Sequence, residues 1–146
     1  RSRGLGDVYK RQDLIFCSGK VFYELNQRRT ETGRRDLGIL RMEQLHPLRG
    51  ESIKAALAAY PNAQRLMWVQ DEPKNMGAFR HVEAFFREEL KRELVYVGRR
   101  ENASPAVGSS RIHAREQHEI MDLAVGRTAE DTADPAAERL VEGPRP

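Results

Sequence analysis

The sequence predicts an α/β fold of three layers, in which a mainly parallel sheet of about four strands lies between helices. Two observations predict it. Between Leu14 and Val125, short apolar segments alternate with longer segments whose apolar residues recur every three or four positions. Neighbouring parallel strands also need a crossover, which is usually a helix. The alternation therefore favours a parallel sheet covered on both faces.

The first predicted strand is a brief apolar segment at 14–16, and the Ser18 hydroxyl is expected to cap the helix that follows. This helix should end near Gly33, because glycine accepts the left-handed backbone that closes many helices. The residues expected on its buried face are Val21, Phe22 and Leu25.

The second strand is predicted at 37–42, and the second helix lies between Pro47 and Pro61, two residues that interrupt helices. Apolar residues at helical spacing predict that one face of it is buried. Those residues are Ile53, Ala56, Leu57 and Tyr60.

The third strand is predicted at 66–69, the third helix at 79–90, the fourth strand at 94–97 and the last helix at 111–125. Both helices show the spacing of a half-buried surface. The inward residues are expected to be Phe79, Val82, Phe86 and Leu90 in the third helix, and Ile112, Ile120, Leu123 and Ala124 in the last.

The length of 146 residues fits one domain, and its formal charge of +3 arises from basic residues that mostly alternate with Glu and Asp. Such alternation is typical of a solvated surface rather than of a nucleic-acid site. The single Cys17 excludes an internal disulfide and a cysteine-clustered zinc site, and we expect it to be buried. With no apolar run of the roughly 20 residues that span a bilayer, we expect a cytoplasmic protein without membrane or nucleic-acid partners.

The two ends differ from the middle of the chain. Residues 1–12 show neither strand nor helix periodicity, and we interpret them as a leader derived from a tag, a vector or sequencing. Residues 127–146 are mostly Ala, Glu, Asp, Arg and Pro, which predicts a disordered tail. The predicted domain is therefore 13–126.

Four segments of this domain resemble one family, the thiamine-dependent 2-oxoglutarate dehydrogenases. They are CSGKVFYEL at 17–25, RMEQLHPL at 41–48, WVQDEPKNMGAF at 68–79 and GRRENASPAVGSSRIHAREQHEIMDLA at 98–124. The resemblance implies the C-terminal, transketolase-type domain of that enzyme. It also implies a sheet of one antiparallel edge strand and four parallel strands, of which the edge strand is missing here.

The resemblance implies a parent enzyme that decarboxylates 2-oxoglutarate in the citric acid cycle, using thiamine diphosphate and Mg²⁺. That enzyme passes a succinyl group to a lipoyl acyltransferase. The family holds the cofactor in the two preceding domains, so no catalytic, cofactor-binding or metal residue is expected here. The fragment alone should be inactive, with the homodimer partner and the thiamine-binding domains as its contacts.

The loops at the carboxyl ends of the strands form the candidate site, for an effector or for a neighbouring domain. By the resemblance, the first and third strands are neighbours, so their loops border one crevice. The candidate residues are Ser18, Gly19, Lys20, Gln44, Gln70, Glu72, Asn75, Arg99 and Arg100.

Each part of this site has two interpretations. The segment 18–20 either holds an anion at a helix N-terminus or is an ordinary cap. In the predicted loop 70–77, Asn75 should cap the third helix. Gln70 and Glu72 either reach toward the subunit or domain that carries the cofactor or complete a local hydrogen-bond network at the strand end. In the predicted loop 98–110, the arginines either pair with a neighbouring domain or are incidental.

The second functional hypothesis is a self-standing module that binds AMP or acyl-CoA. Gln44 matches the glutamine with which actinobacterial members of the family bind an acyl-CoA activator. Glu51 and Ser52 stand where those members have arginines, which puts acyl-CoA binding in doubt. His113 and His118 are five residues apart and point in different directions on a helix, so they do not form a metal pair.

Overall fold

A computed structural model describes residues 12–45, 48, 50–101 and 110–126 of the chain. Strands and helices alternate through it, as the sequence predicts. The strands are β1 (Gln12–Cys17), β2 (Leu37–Arg41), β3 (Ala63–Pro73) and β4 (Val95–Arg99). The helices are α1 (Val21–Thr32), α2 (Gly50–Ala59), α3 (Phe79–Phe85), which continues as a π-helix (Phe86–Leu90), and α4 (Ser110–Ala124).

The four strands form one parallel sheet in the order β2-β1-β3-β4. Ile15 of β1 pairs with Ile39 of β2 on one side and with Met67 of β3 on the other. The predicted parallel sheet is thus confirmed, and so is the expectation that the first and third strands are neighbours. The segments that follow β1 and β3 consequently leave the same edge of the sheet, which we call the carboxyl edge.

Helices cover both faces of the sheet, because alternate residues of each strand point to opposite sides. On one face, Ile15 and Cys17 pack with residues of α1 and α4. On the other face, Leu14 and Phe16 pack with residues of α2, α3 and the π-helix. The Phe16 and Phe86 rings meet edge to face with centroids 4.9 Å apart. The three-layer prediction is confirmed.

The predicted buried faces are correct except at Ile112. In α1, Val21 and Leu25 are buried, and Phe22 packs against them in part. Ile112, however, is 45% exposed. The next residue, His113, is also exposed, but its Nδ1 lies 3.2 Å from the buried Arg99 guanidinium. A polar contact at the sheet edge therefore sets the orientation of this end of the helix, which apolar spacing does not reveal.

Strand β3 continues to Pro73, so the prediction that a loop begins at Gln70 is wrong. The strand lengthens because β4 also runs past its predicted end to Arg99, and Pro73 pairs with Arg99 after a register shift. Gln70 is polar but 97% buried, since it is 3% exposed. A boundary placed at the first polar residue therefore ends the strand too early.

Both predicted side-chain caps are wrong, whereas the predicted end of α1 is confirmed. The N-cap residues of α1 and α3 are Lys20 and Ala78, and neither makes a side-chain cap hydrogen bond. Gly19, with φ +77°, separates Ser18 from the helix, and Asn75 lies in a turn three residues before Ala78. Gly33 closes α1 with φ 68°.

Three arginines hold the last turn of α4 at the opposite, amino edge of the sheet. Arg34 also binds the start of β1, because its guanidinium donates to the Asp13 carboxylate at 3.0 Å and to the Val125 carbonyl at 2.7 Å. Asp36, which accepts two more bonds from Arg34, raises the pKa of that guanidinium. The other two are Arg28, which donates to the Gly126 carbonyl, and Arg65, which donates to the Leu123 carbonyl.

The predicted leader and tail lie outside the described residues, except for Gln12, which begins β1. No helix in the described part of the chain is long and apolar enough to cross a membrane.

Candidate site at the carboxyl edge

The turn between β1 and α1 contains the first three candidate residues. Gly19 and Lys20 are exposed, and Ser18 is half-buried. Lys20 is the N-cap and has no side-chain cap bond, and the amides of Phe22 and Tyr23 donate to the Gly19 and Lys20 carbonyls at 3.4 and 3.1 Å. An exposed lysine at this helix end is compatible with binding of an anion, and it is equally compatible with an ordinary surface lysine.

An aromatic and cationic group lies beside this turn, and we call it the Arg41 stack (Arg41, Phe22 and Tyr23). The Arg41 guanidinium lies 5.2 Å from the Tyr23 ring centroid and 5.9 Å from that of Phe22, and it donates to the Tyr23 hydroxyl at 3.1 Å. Gln44 follows three residues later and is exposed. Sequence reasoning missed the stack, because it depends on the pairing of β1 with β2.

The Gln70 amide is enclosed in the protein rather than directed outward. Its Oε1 accepts a bond of 2.7 Å from the Trp68 indole, and its Nε2 donates to the carbonyls of Glu72 and Pro73 at 3.0 and 2.9 Å. A Cβ on Gly77 would collide with this amide, so the glycine leaves room for it. The structure favours the local-network interpretation of Gln70, whereas Glu72 and Asn75 are exposed.

Arg99 also faces inward, and it joins the end of β4 to α4. Its guanidinium donates to the Glu116 carboxylate at 3.2 Å, to the Gln117 side chain at 2.9 Å and to the Asp71 carbonyl. These partners occupy the side chain, which leaves Arg99 only 9% exposed. It is therefore not positioned to pair with a neighbouring domain, unlike the exposed Arg100.

Gln117 extends this network across the sheet edge. Its Nε2 donates to the Asp71 carboxylate at 2.7 Å and to the Glu24 carboxylate at 2.9 Å. One polar network thus connects α1, β3, β4 and α4. Sequence reasoning overlooked Asp71 and Gln117, since Gln117 lies 93 residues from Glu24 along the chain and no local pattern links them.

The thiol at the end of β1 is a further reactive group at this edge. Cys17 is fully buried, as predicted, and burial raises the pKa of its thiol to about 12. Such a thiol is not a nucleophile near neutral pH. Among the described residues, no three His, Cys, Asp or Glu side chains are arranged to hold a metal ion.

The carboxyl edge does expose apolar surface. In the described ranges, four large hydrophobic side chains are exposed, namely Tyr23, Met76, Ile112 and Val95. The first three lie in the segments that follow β1, β3 and β4, whereas Val95 begins β4 at the amino edge. Exposed apolar side chains gathered at one edge are typical of a contact surface.

Comparison of the sequence with known proteins agrees with the resemblance to 2-oxoglutarate dehydrogenases. A family model described as 2-oxoglutarate dehydrogenase C-terminal matches residues 6–125. The chain is 42% identical over 128 residues to the multifunctional 2-oxoglutarate metabolism enzyme of Mycolicibacterium vanbaalenii, covering 86% of this chain and 10% of that protein. It is 41% identical over 118 residues to the 2-oxoglutarate dehydrogenase E1 component of Rickettsia prowazekii, covering 77% of this chain and 12% of that protein.

A third relative is the 2-oxoglutarate dehydrogenase E1 component of Cupriavidus necator, at 39% identity over 116 residues, 78% of this chain and 12% of that protein. The chain thus spans about a tenth of the length of the curated relatives it matches. Among solved structures, a sigma-54 interaction domain protein from Enterococcus faecalis gives a TM-score of 0.45 at 13% identity, over 84% of each chain. This likeness is too weak to add to the topology described above.

Proposed function

The chain belongs to the family of 2-oxoglutarate dehydrogenase C-terminal domains, and from that premise we propose that it serves a 2-oxoglutarate dehydrogenase as a scaffold domain. In this role it packs beside an active site that other domains supply. The observation that supports this most directly is the carboxyl edge, which exposes Tyr23, Met76 and Ile112. Burying a side chain of this size contributes about 1.5–3 kcal/mol to an interface.

Thiamine diphosphate with Mg²⁺ does not fit the described residues. The carboxylates of Asp71 and Glu24 accept bonds from Gln117, and that of Glu116 accepts one from Arg99. None of them joins two further ligands for a metal ion among the residues described. In the whole enzyme the cofactor would supply carbanion stabilisation, and no chemical step is assigned to this chain.

In the proposed role, the residues of this chain bind neighbouring domains and hold the exposed side chains of the carboxyl edge in a fixed orientation. Gln70 and the Arg99 network hold the ends of β3 and β4 in place, so the exposed side chains are presented on a rigid edge. The surfaces that would cover them are the preceding thiamine-binding domains and the homodimer partner. The lipoyl acyltransferase would contact the assembled enzyme.

Truncating the exposed apolar residues in the whole enzyme tests this proposal. In a full-length enzyme containing this chain, Tyr23→Ala with Met76→Ala should weaken dimer association about tenfold or more, measured by sedimentation. Val95→Ala removes an exposed apolar side chain at the opposite edge and serves as the control. Equal association of both variants and the wild type would contradict the scaffold role, as would decarboxylation of 2-oxoglutarate by the isolated chain supplied with thiamine diphosphate and Mg²⁺.

A second candidate function, an effector-binding module, is favoured by the Arg41 stack. A guanidinium over two aromatic rings, next to the exposed Lys20 and Gln44, is suited to a phosphate attached to a flat ring, as in AMP or acyl-CoA. Calorimetric titration of the chain with AMP and with acyl-CoA would test it. Binding that Arg41→Ala abolishes supports this module, and the absence of heat with both ligands contradicts it.

A further inference from the structure

The four methionines of the chain differ sharply in their exposure to solvent. Met42, Met67 and Met121 are at most 6% exposed, whereas Met76 is 41% exposed. Peroxides oxidise the thioether of methionine to a sulfoxide, and the oxidant has to reach the sulfur to do so. Oxidation of the folded chain is therefore expected to concentrate on Met76.

The thiol of Cys17 does not compete for the oxidant. It is fully buried, and burial raises the pKa of this thiol to about 12, so very little of it is the reactive thiolate near neutral pH. All sulfur-containing residues of the chain lie within the described ranges, and among them Met76 alone is exposed. The fold thus directs a peroxide to one side chain.

Met76 lies on a turn that is anchored on both sides. Its backbone N–H donates to the Pro73 carbonyl at 2.9 Å, and Pro73 itself pairs with Arg99 of β4. On the other side of the turn, Gly77 lies against the buried amide of Gln70. The turn therefore holds Met76 in a fixed position at the carboxyl edge, where its side chain is one of the exposed apolar groups.

We propose that oxidation of Met76 regulates the docking of the carboxyl edge, an inference that rests on the scaffold function proposed above. A lone pair of Sδ attacks one oxygen of hydrogen peroxide, so that an S–O bond forms and the O–O bond breaks. The proton on the transferred oxygen passes to the departing hydroxide. The sulfur loses two electrons and becomes a sulfoxide, and the peroxide is reduced to water.

The sulfoxide changes the chemistry of this contact. Its oxygen is a strong acceptor, and burying it against an apolar surface removes its hydrogen bonds to water without replacing them. The oxidised edge therefore binds its neighbour more weakly. A sulfoxide reductase reverses the change, because two thiols are oxidised to a disulfide while the oxygen leaves as water. Oxidation acts on the free edge, since a neighbouring domain that covers Met76 also shields its sulfur.

Limited oxidation of the 146-residue chain tests the site. After treatment with dilute hydrogen peroxide, peptide mass spectrometry follows the gain of one oxygen at each methionine. In the folded chain, Met76 should react about tenfold or more faster than Met42, Met67 and Met121. In urea, which exposes all four side chains, their rates should become similar. Equal rates in the folded chain would overturn the proposal.

Two substitutions in a full-length enzyme containing this chain test the consequence for docking. Met76→Gln introduces a polar side chain of similar length, as the sulfoxide does, whereas Met76→Leu keeps the side chain apolar and has no sulfur to oxidise. Dimer association, measured by sedimentation, should be about threefold or more weaker with Gln than with Leu. Equal association of these two variants would overturn the regulation.

These measurements separate the regulation from the scaffold function. If Tyr23→Ala with Met76→Ala weakens association but the Gln and Leu variants associate equally, the regulation alone fails. If that double variant associates as the wild type does, the scaffold function fails and the regulation fails with it. Met76 should also be oxidised more slowly in the assembled enzyme than in the isolated chain, and equal rates would contradict both.

Discussion

At the scale of single residues, Gln70 is a polar side chain that is buried at the end of β3 and makes three hydrogen bonds there. One buried side chain accepts a bond from Trp68 and donates two to backbone carbonyls, and Gly77 is needed to make room for it. An amide has one acceptor and two donor hydrogens, so all three roles are used. The residue thus fixes the end of β3 without facing solvent or a partner.

Replacing Gln70 with Leu keeps the approximate size of the side chain but removes the three bonds. We expect the free energy of unfolding to fall by about 2–3 kcal/mol, because the Trp68 indole would remain buried without an acceptor. Urea denaturation followed by the fluorescence of Trp68, the single Trp, measures the change. Gln64→Leu alters an exposed residue of the same strand and should change stability by less than about 0.5 kcal/mol. Equal losses in the two variants would contradict this role.

Residue environments were predictable where they depend on neighbours along the chain. The burial of Cys17 and the helix end at Gly33 follow from local apolar pattern and from glycine's conformational freedom. The role of Arg99 does not, because its partners lie between 14 and 28 residues away. They come together only through the pairing of β3 with β4 and the packing of α4 beside these strands, which no local pattern specifies.

At the scale of elements, the third helix is irregular. It changes from α-helical to π-helical at Phe86 and ends at Lys91, a non-glycine residue with φ 54°. Phe86 stays fully buried through this change, while Leu90 is only partly buried. Left-handed backbone at a residue with a Cβ is unfavourable, so this helix end is a local weakness.

Lys91→Gly should therefore stabilise the protein, by about 0.5–1 kcal/mol, since glycine accepts a positive φ without the clash of a Cβ. The midpoint of urea denaturation measures the effect. Lys54→Gly provides an internal comparison with the opposite sign, because it places glycine within α2 and should cost about 1 kcal/mol. A loss of stability in the Lys91 variant would show that the positive φ is not costly here.

The order of the elements was predictable, and most of their bounds were close. Alternating apolar periodicity identified four strands and the helices between them. The error at Gln70 has a physical cause, because a strand ends where its backbone pairing ends. The pairing of Pro73 with Arg99 carries β3 beyond its last apolar residue, Val69. The missed π-helix has no signature in apolar spacing.

At the scale of the whole molecule, Arg34 connects the first strand to the last helix. Its substitution by Gln should speed hydrogen exchange at the start of β1 and at the end of α4, and lower stability by about 1–3 kcal/mol. Hydrogen exchange with mass spectrometry measures the local effect. Arg35→Gln changes an exposed neighbour and should leave both segments unaltered. Faster exchange throughout the chain would indicate global destabilisation, and would contradict a local role of Arg34 in joining β1 to the end of α4.

The bonds from Arg34 to Asp13 and to the Val125 carbonyl also fix where the two ends of the described domain lie. Asp13 and Val125 bind the same guanidinium, so the first and last described segments lie side by side at the amino edge, opposite the carboxyl edge. A domain whose two ends are adjacent can be inserted into a longer polypeptide, or removed from it, while the segments on either side stay close together. Both ends of the described domain therefore lie far from the exposed apolar side chains of the carboxyl edge, so its two connections and that edge occupy opposite sides of the sheet.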